Sequence, residues 1–393
     1  MHRNIENQRK LNSFYFSQAT SIKKITKRGQ TSRQPVRQVN TLLSHTKLDS
    51  PESSGSISKS LFSYKYAIGR GGFGKVWKVE LKRTKTLYAL KEMQKLRVIS
   101  KRSVNSVMNE RKILETLKNN FIVNMHYAFQ DRENLYLVMD LKNGGDLRYH
   151  ILKNKRFSEI QVKFMAACII SGLKYIHSNG IIHRDIKPEN LVFDEKGYLY
   201  ITDFGIARIW VPENSKDTSG TPGYMAPEVI FRQNHGIVAD YFALGVILYE
   251  LMIGRRPYIG RDRKEIRDQI VSRQARVTEV PEGWSLESAD FINKLLQRKA
   301  SARLGNNGFE EINSHPWLKE FPWKDLFLGL LVSPYVPKNQ DNFDPRNLTD
   351  WKDEIDQGID LTNSQNLFIG YSFDKTMLME VGNAHNKKTL SSL

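Results

Sequence analysis

One cysteine, Cys168, occurs among 393 residues. That scarcity excludes an intrachain disulfide framework and a cysteine zinc cluster, and it suits a reducing compartment. No run of 18 apolar residues exists, so no membrane-spanning helix is expected. The opening Met1-His2-Arg3-Asn4 has no apolar block of the secretory kind, and His2 stands where N-myristoylation requires glycine. Acidic residues are the scarcer charge: 42 Asp and Glu face 60 Lys and Arg, a formal net charge of +18. Such an excess favours anionic partners, whether nucleic acid, acidic lipid or phosphate, without choosing among them. Internal repeats and low-complexity arrays are also missing. What remains is globular in composition, 40% hydrophobic and 26% charged, in a chain long enough to bury a large core. A soluble, cytoplasmic protein is expected.

Residues 1–60 differ from the rest. They hold 11 Lys and Arg against three Asp and Glu, are rich in Ser, Thr, Gln and Asn, and show no helical or strand period. They read as a disordered basic arm. Its cluster Lys23-Lys24-Ile25-Thr26-Lys27-Arg28 fits a nuclear address, a patch for anionic lipid or nucleic acid, or simply a solvated charged tail.

From Leu61 the pattern turns to alternating strands: Val76–Val79, Leu87–Lys91, Ile122–Phe129 and Leu135–Leu141. One helical segment, 103–118, interrupts them, with Val104, Val107, Met108 and Leu114 at three-to-four spacing. After Gly144-Gly145 the balance inverts. Residues 159–178, 236–254 and Ala289–Leu296 read as amphipathic or buried helices. The expectation is an α+β protein of two lobes: a small β-rich lobe over 61–141 and a larger helical lobe over 142–317. Residues 318–393 read as an extended tail.

Four strings carry chemistry. Gly69-Arg70-Gly71-Gly72-Phe73-Gly74-Lys75-Val76 lies between two strands. Its glycines let backbone amides approach a phosphate chain. A dinucleotide fold uses the same string, but there it opens a helix after a strand, so this context points to a β-hairpin lid over nucleotide phosphates. Tyr88-Ala89-Leu90-Lys91 is a buried strand ending in lysine, and a buried lysine needs an anion. Glu110 on the helix is placed to hold it, although singly each residue also reads as a surface charge. In Ile182-His183-Arg184-Asp185-Ile186-Lys187-Pro188-Glu189-Asn190-Leu191, one loop supplies a carboxylate, a cation two residues on and a carboxamide five residues on. In-line phosphoryl transfer needs a base near the attacking hydroxyl, a cation on the migrating group and oxygen ligands for Mg²⁺. Ile201-Thr202-Asp203-Phe204-Gly205 adds a second metal carboxylate.

Taken together and in this order, these strings resemble a eukaryotic protein kinase from about Tyr64 to Trp317. Met225-Ala226-Pro227-Glu228 closes the activation segment of that pattern. Asp240 and Arg303 match two further positions, Arg303 as the structural partner of Glu228. Lys187 together with Gly220-Thr221-Pro222 resembles serine/threonine kinases. Phe129-Gln130-Asp131, the string Gly144–His150 and the tail resemble the AGC group, and Gly144–His150 is similar to its YANK branch.

The resemblance implies ATP and Mg²⁺. ATP would lie under Gly69, Gly71, Gly72, Phe73 and Gly74, with the hinge at Asp140-Leu141-Lys142 and Met139 as gatekeeper. Its adenine would sit between Val76 and Ala89 above and Val192 below. Lys91 would contact the α and β phosphates and Glu110 would orient it. Asp185 would receive or position the hydroxyl proton, Lys187 would neutralise the γ-phosphoryl, and Asn190 and Asp203 would hold Mg²⁺. In the tail, Pro334-Tyr335-Val336-Pro337 resembles the group's turn and Asn342-Phe343-Asp344 its tether. Phe368, Tyr371, Ser372 and Phe373 resemble its hydrophobic motif, expected to dock beside the Glu110 helix, with Ser372 as a site for an upstream activating kinase. The alternative is an aromatic cluster without regulation.

Two positions depart from the group. Asp217 stands where a phosphorylated threonine is usual, four residues before Thr221, and Ser106 stands where a histidine faces that phosphate. Asp217 would offer Arg184 one negative charge in place of nearly two; alternatively Thr218 or Ser219 is phosphorylated. Gly223 replaces a usual glutamate. Asp146, Glu189 and Glu250 match positions that receive basic side chains of the substrate, so Ser/Thr in basic contexts is expected, unless these are plain structural or solvated carboxylates. Rival readings are a catalytically silent scaffold, a small-molecule kinase and a nucleic-acid binder. The intact set Lys91, Glu110, Asp185, Asn190 and Asp203 argues against the first. The Asp203–Glu228 segment argues against the second.

Overall fold

The computed structural model describes residues 57–338 and 361–374. Its first layer is an antiparallel sheet. β1 (Phe62–Arg70) and β2 (Gly74–Leu81) flank the glycine-rich turn, and β3 (Leu87–Gln94) follows. Two helices, α1 (Lys95–Ser100) and α2 (Val104–Thr116), lead to β4 (Met125–Gln130) and β5 (Asn134–Asp140). The strand order is β1-β2-β3-β5-β4. The period of two sorts each strand between two faces. In β5, Tyr136 and Val138 join Phe62, Val79 and Leu90 in a small cluster on one side. Leu135, Leu137 and Met139 face the other way, into the main core with Val107 and Leu114 of α2.

The second lobe begins with α3 (Leu147–Asn154), whose N-terminus is capped by Asp146 accepting from the Tyr149 N–H at 2.8 Å. α4 (Glu159–Ser178) is apolar almost all round and accordingly lies inside the lobe. Under the cleft run two short ribbons, β6 (Ile181–Ile182) with β9 (Arg208–Ile209) and β7 (Leu191–Phe193) with β8 (Leu199–Ile201). Then follow α5 (Pro227–Ile230), α6 (Val238–Ile253), α7 (Arg263–Ser272), α8 (Leu286–Leu295), α9 (Phe309–Asn313) and α10 (Trp323–Phe327). α6 and α8 approach so closely that a Cβ on Gly245 would lie 2.8 Å from the Leu295 Cβ. Glycine at that position is what lets the two helices touch.

The tail returns to both lobes. Tyr335 packs edge-on against His150 and Phe157, and its hydroxyl meets His150 Nδ1 at 2.7 Å. Farther on, α11 (Leu361–Ser364) and a 3₁₀ turn at Gln365–Phe368 precede β10 (Phe373–Asp374), which pairs antiparallel with β4 and becomes the sheet's sixth strand.

The strand and helix expectations place the elements within a few residues. Three differences stand out. A second helix, α1, precedes α2; its six residues are too few to register as a period. Ile122 belongs to no strand but forms a lone bridge to Ile201. The first lobe also starts earlier than residue 61: Ile57 packs on the small cluster and Lys59 pairs with Glu92 at 3.0 Å. The arm's basic cluster and Asn342-Phe343-Asp344 lie outside the described residues.

One buried ion pair ties this lobe together. Arg303 is wholly buried and grips Glu228 through two contacts, 2.6 and 2.9 Å. Removing one partner strands the other's charge in the interior. Arg303→Met is expected to destabilise by about 3–5 kcal/mol, read as a lowered Tm in thermal melts. Arg303→Met combined with Glu228→Met should recover part of the loss.

Candidate active site

The cleft between the sheet and the helical lobe holds a cavity of about 950 Å³. That is at the upper end of the usual size for a small-molecule site. Gly69, Gly71, Val76, Ala89 and Met139 line its upper part, Val192 lies on the opposite side, and Lys91, Glu110, Asn190 and Asp203 reach its inner end. Asp140 lines the hinge side. Gly72, Phe73, Gly74 and Leu141, also expected here, are not among the lining residues. Phe73 instead packs against the core, and a Cβ on Gly74 would collide with the Glu92 carbonyl. That glycine serves the strand crossing. Lys142, expected at the hinge, lines the cavity, and Ile68, Val123 and Thr202 line it without having been expected. They are ordinary residues in strands and loops, and only the fold brings them together.

Lys91 sits mid-strand in β3, opposite Val76 and Leu137. Its Nζ donates to both oxygens of Glu110, at 2.8 and 3.1 Å, and lies 3.6 Å from Asp203 Oδ1. Burial alone would favour neutral lysine, but the Glu110 and Asp203 carboxylates outweigh it and hold Lys91 protonated. Burial pushes the Glu110 carboxyl above its ordinary range, against the opposing pull of Lys91. Contact with so firmly charged an ammonium keeps the pair ionic. The Lys91 ammonium also holds Asp203 below the usual carboxylate range, against its partial desolvation in the cleft.

Asp185, Lys187 and Asn190 of the loop 182–191 converge on one another. Lys187 Nζ lies 2.6 Å from Asp185 Oδ2 and 3.1 Å from the Thr221 hydroxyl, which itself donates to Asp185 Oδ1 at 2.6 Å. Asn190 Nδ2 donates to the Asp185 carbonyl and carboxylate at 2.9 and 3.0 Å. Arg184 (φ 69°) and Asp203 (φ 64°) adopt left-handed backbone that side chains disfavour. Asp240 compensates the first: it accepts the His183 and Arg184 N–H groups at 2.9 and 2.8 Å and His177 Nε2 at 2.8 Å. Burial works against its charge, yet those hydrogen bonds hold Asp240 below its ordinary range.

Helix α2 is tied at other points too. Asn109 Nδ2 donates to the Ala207 carbonyl at 2.7 Å, and Arg111 donates to the carbonyls of Tyr371 and Ser372 at 2.9 and 3.0 Å. Phe368 and Tyr371 are fully buried and Ser372 is exposed. In the activation segment, Asp217 Oδ2 lies 3.5 Å from Arg184 Nη1 and 3.8 Å from Arg208 Nε. Thr218 is half-buried and Ser219 exposed. Of the three carboxylates expected to face substrate, Glu189 and Glu250 already hold Arg148, and Asp146 caps α3.

Comparison with known proteins agrees with this geometry. A family profile described as "protein kinase domain" matches residues 62–318. The chain belongs to the protein kinase family. A probable serine/threonine-protein kinase of Dictyostelium discoideum is 38% identical over 83% of this chain and 73% of its own length. The serine/threonine-protein kinase sgk-1 of Caenorhabditis elegans is 38% identical, over 76% of this chain and 65% of its own. Sgk3 of Rattus norvegicus is 36% identical over 76% and 60%. The chain spans about two thirds of the length of such relatives. It is a serine/threonine protein kinase of the AGC group, with ATP as its phosphoryl donor.

Asp240 supports the loop from an almost wholly buried position. Asp240→Ala would leave two buried N–H groups and a histidine unpaired, at about 1–3 kcal/mol per group. A lower Tm and a steep fall in peptide phosphorylation are expected. Asp240→Asn, which keeps one acceptor oxygen, should recover part of both.

Proposed function

We propose that this kinase transfers the γ-phosphoryl of ATP to serine or threonine hydroxyls of protein substrates by positioning and charge neutralisation, with its own residues in the following roles. Asp185 carries the reading, because its carboxylate faces Lys187, Thr221 and Asn190 at hydrogen-bond distance beside the cavity. Asp185 accepts the hydroxyl's hydrogen bond and orients it toward phosphorus. Lys187 stands beside it to neutralise charge on the migrating group. Lys91, held charged by Glu110, contacts the phosphates nearer the nucleoside.

The donor set fits magnesium. Asp203 presents an ionised carboxylate that is half exposed to the cleft. The Asn190 amide nitrogen is engaged by Asp185, which leaves its oxygen as a ligand. Magnesium prefers a few such oxygens completed by phosphates and water. When bound it would neutralise the phosphate oxygens.

Asp217 supplies the activation segment's negative charge to Arg184 and Arg208, one charge at longer range than a phosphate would give. The docked Phe368–Phe373 segment holds α2, and so Glu110, toward Lys91. Ser372, exposed at that junction, is the site offered to an upstream activating kinase. The cytoplasm is its place of action. The basic arm is the element for anionic lipid or nucleic-acid contact and for any nuclear address.

An ATP/Mg²⁺ assay on serine and threonine peptides tests these roles. EDTA should abolish labelling. Asp185→Asn should lower kcat by about 10²–10⁴-fold while nucleotide binding persists; labelling at the parental rate would refute its role. In enzyme free of activation-segment phosphate, Asp217→Ala should lower kcat about two- to fivefold, as a half-exposed ion pair allows. Mass spectrometry showing phosphate on Thr218 or Ser219 in the active form would transfer the role to that residue.

A further inference from the structure

We infer that Arg148 is a specificity-determining residue: it occupies, from within the chain, the acidic subsite in which a substrate arginine would bind, so an upstream arginine gives an acceptor segment no advantage with this kinase. This rests on the proposed reading that acceptor peptides lie across the catalytic loop.

The guanidinium is engaged on every side. Nη1 contacts Glu250 Oε1 at 2.8 Å, Nη2 reaches Glu250 Oε2 at 3.3 Å and also donates to the Tyr224 hydroxyl, and Nε donates to Glu189 Oε1 at 2.9 Å. Tyr224 in turn donates to Glu250 at 3.2 Å. Glu250 is buried, with a side chain 7% exposed, while Glu189 is open to the cleft. Glu189 lies two residues after Lys187 and one before Asn190, and it lines the cavity with Asp146 and Tyr149. The cluster therefore stands beside the reacting groups.

The energetic argument concerns exchange. An incoming arginine could reach Glu250 only by displacing Arg148. One guanidinium would replace another on the same carboxylate, so the new ion pair brings no net gain. The substrate side chain would still lose its rotamer freedom and its water. The internal group wins through effective concentration, since its attachment to α3 is permanent. Without Arg148, Glu250 would be a buried carboxylate lacking its cation, the condition in which a substrate guanidinium contributes most.

Full-length enzyme should be assayed on serine peptides identical except for Ala or Arg at each of the second to fifth positions before the acceptor. The readout is the Arg/Ala ratio of kcat/KM measured on one preparation, so the folded fraction cancels. The parental enzyme should show ratios within about threefold of unity, and Arg148→Ala should raise at least one of them by about tenfold or more. Arg148→Ala combined with Glu250→Gln should return that ratio toward unity. A parental preference for arginine of tenfold or more overturns the proposal, as does an unchanged ratio in Arg148→Ala. Labelling of none of the peptides by the parental enzyme would instead refute the underlying peptide-substrate reading, and this inference with it.

Discussion

A lysine in the middle of a buried strand can stay charged only if an anion comes to it, and the shape of the upper lobe follows from that requirement. Lys91 is fixed by β3 between β2 and β5. Glu110 arrives on a separate helix, α2, and Asp203 arrives from the lower lobe. The three charges thus join a sheet, a helix and a loop at the inner end of one cavity. Glu110 is almost fully buried, so an outward movement of α2 would leave two desolvated charges apart, which is strongly unfavourable. The geometry that suits a nucleotide phosphate is also the geometry in which the sheet and the helix satisfy each other.

Contacts on both faces of α2 strengthen this dependence. Asn109 reaches the activation segment through Ala207, and Arg111 reaches the tail through two carbonyls. These residues flank Glu110 in sequence, so they project from successive directions around the helix. The tail adds apolar weight, since Phe368 and Tyr371 are buried and β10 extends the sheet. Buried Lys95, too, donates to Gln365 at 2.6 Å while lying over the Phe368 ring. Position of the helix is therefore a joint property of activation segment, tail and nucleotide site.

The parts of the site legible in the sequence were those whose chemistry is local. Asp185, Lys187 and Asn190 lie within six residues, and one loop conformation brings them together whatever surrounds it. Lys91 and Glu110 are 19 residues apart, yet the need of a buried lysine for an acid made their pairing readable. Gly72, Phe73 and Gly74 were read as facing the nucleotide, whereas Gly69 and Gly71 are the loop glycines that line the cavity; a string alone does not tell which glycine faces a cavity and which relieves a strand crossing. Asp240 was visible only as a match to a pattern, since its work is done on amides 56 and 57 residues away. Arg148 was read as part of a family string and not as a cation. Its partners lie 41 and 102 residues on, and no local rule joins them.

Arg148 and Asp217 express the same physical choice. In each case a charge that could come from outside, a substrate's guanidinium or an added phosphate, is matched by one built into the chain. A tethered group competes at an effective concentration that a free partner seldom reaches. The two cases differ in tightness. Arg148 is clamped at hydrogen-bond distance against a buried carboxylate, whereas Asp217 stands 3.5 Å or more from its arginines and remains partly exposed. Coulombic attraction weakens with distance and with solvent. On the roles proposed above, the first group therefore closes its site, while the second only biases its loop and leaves room for a stronger negative charge to act there.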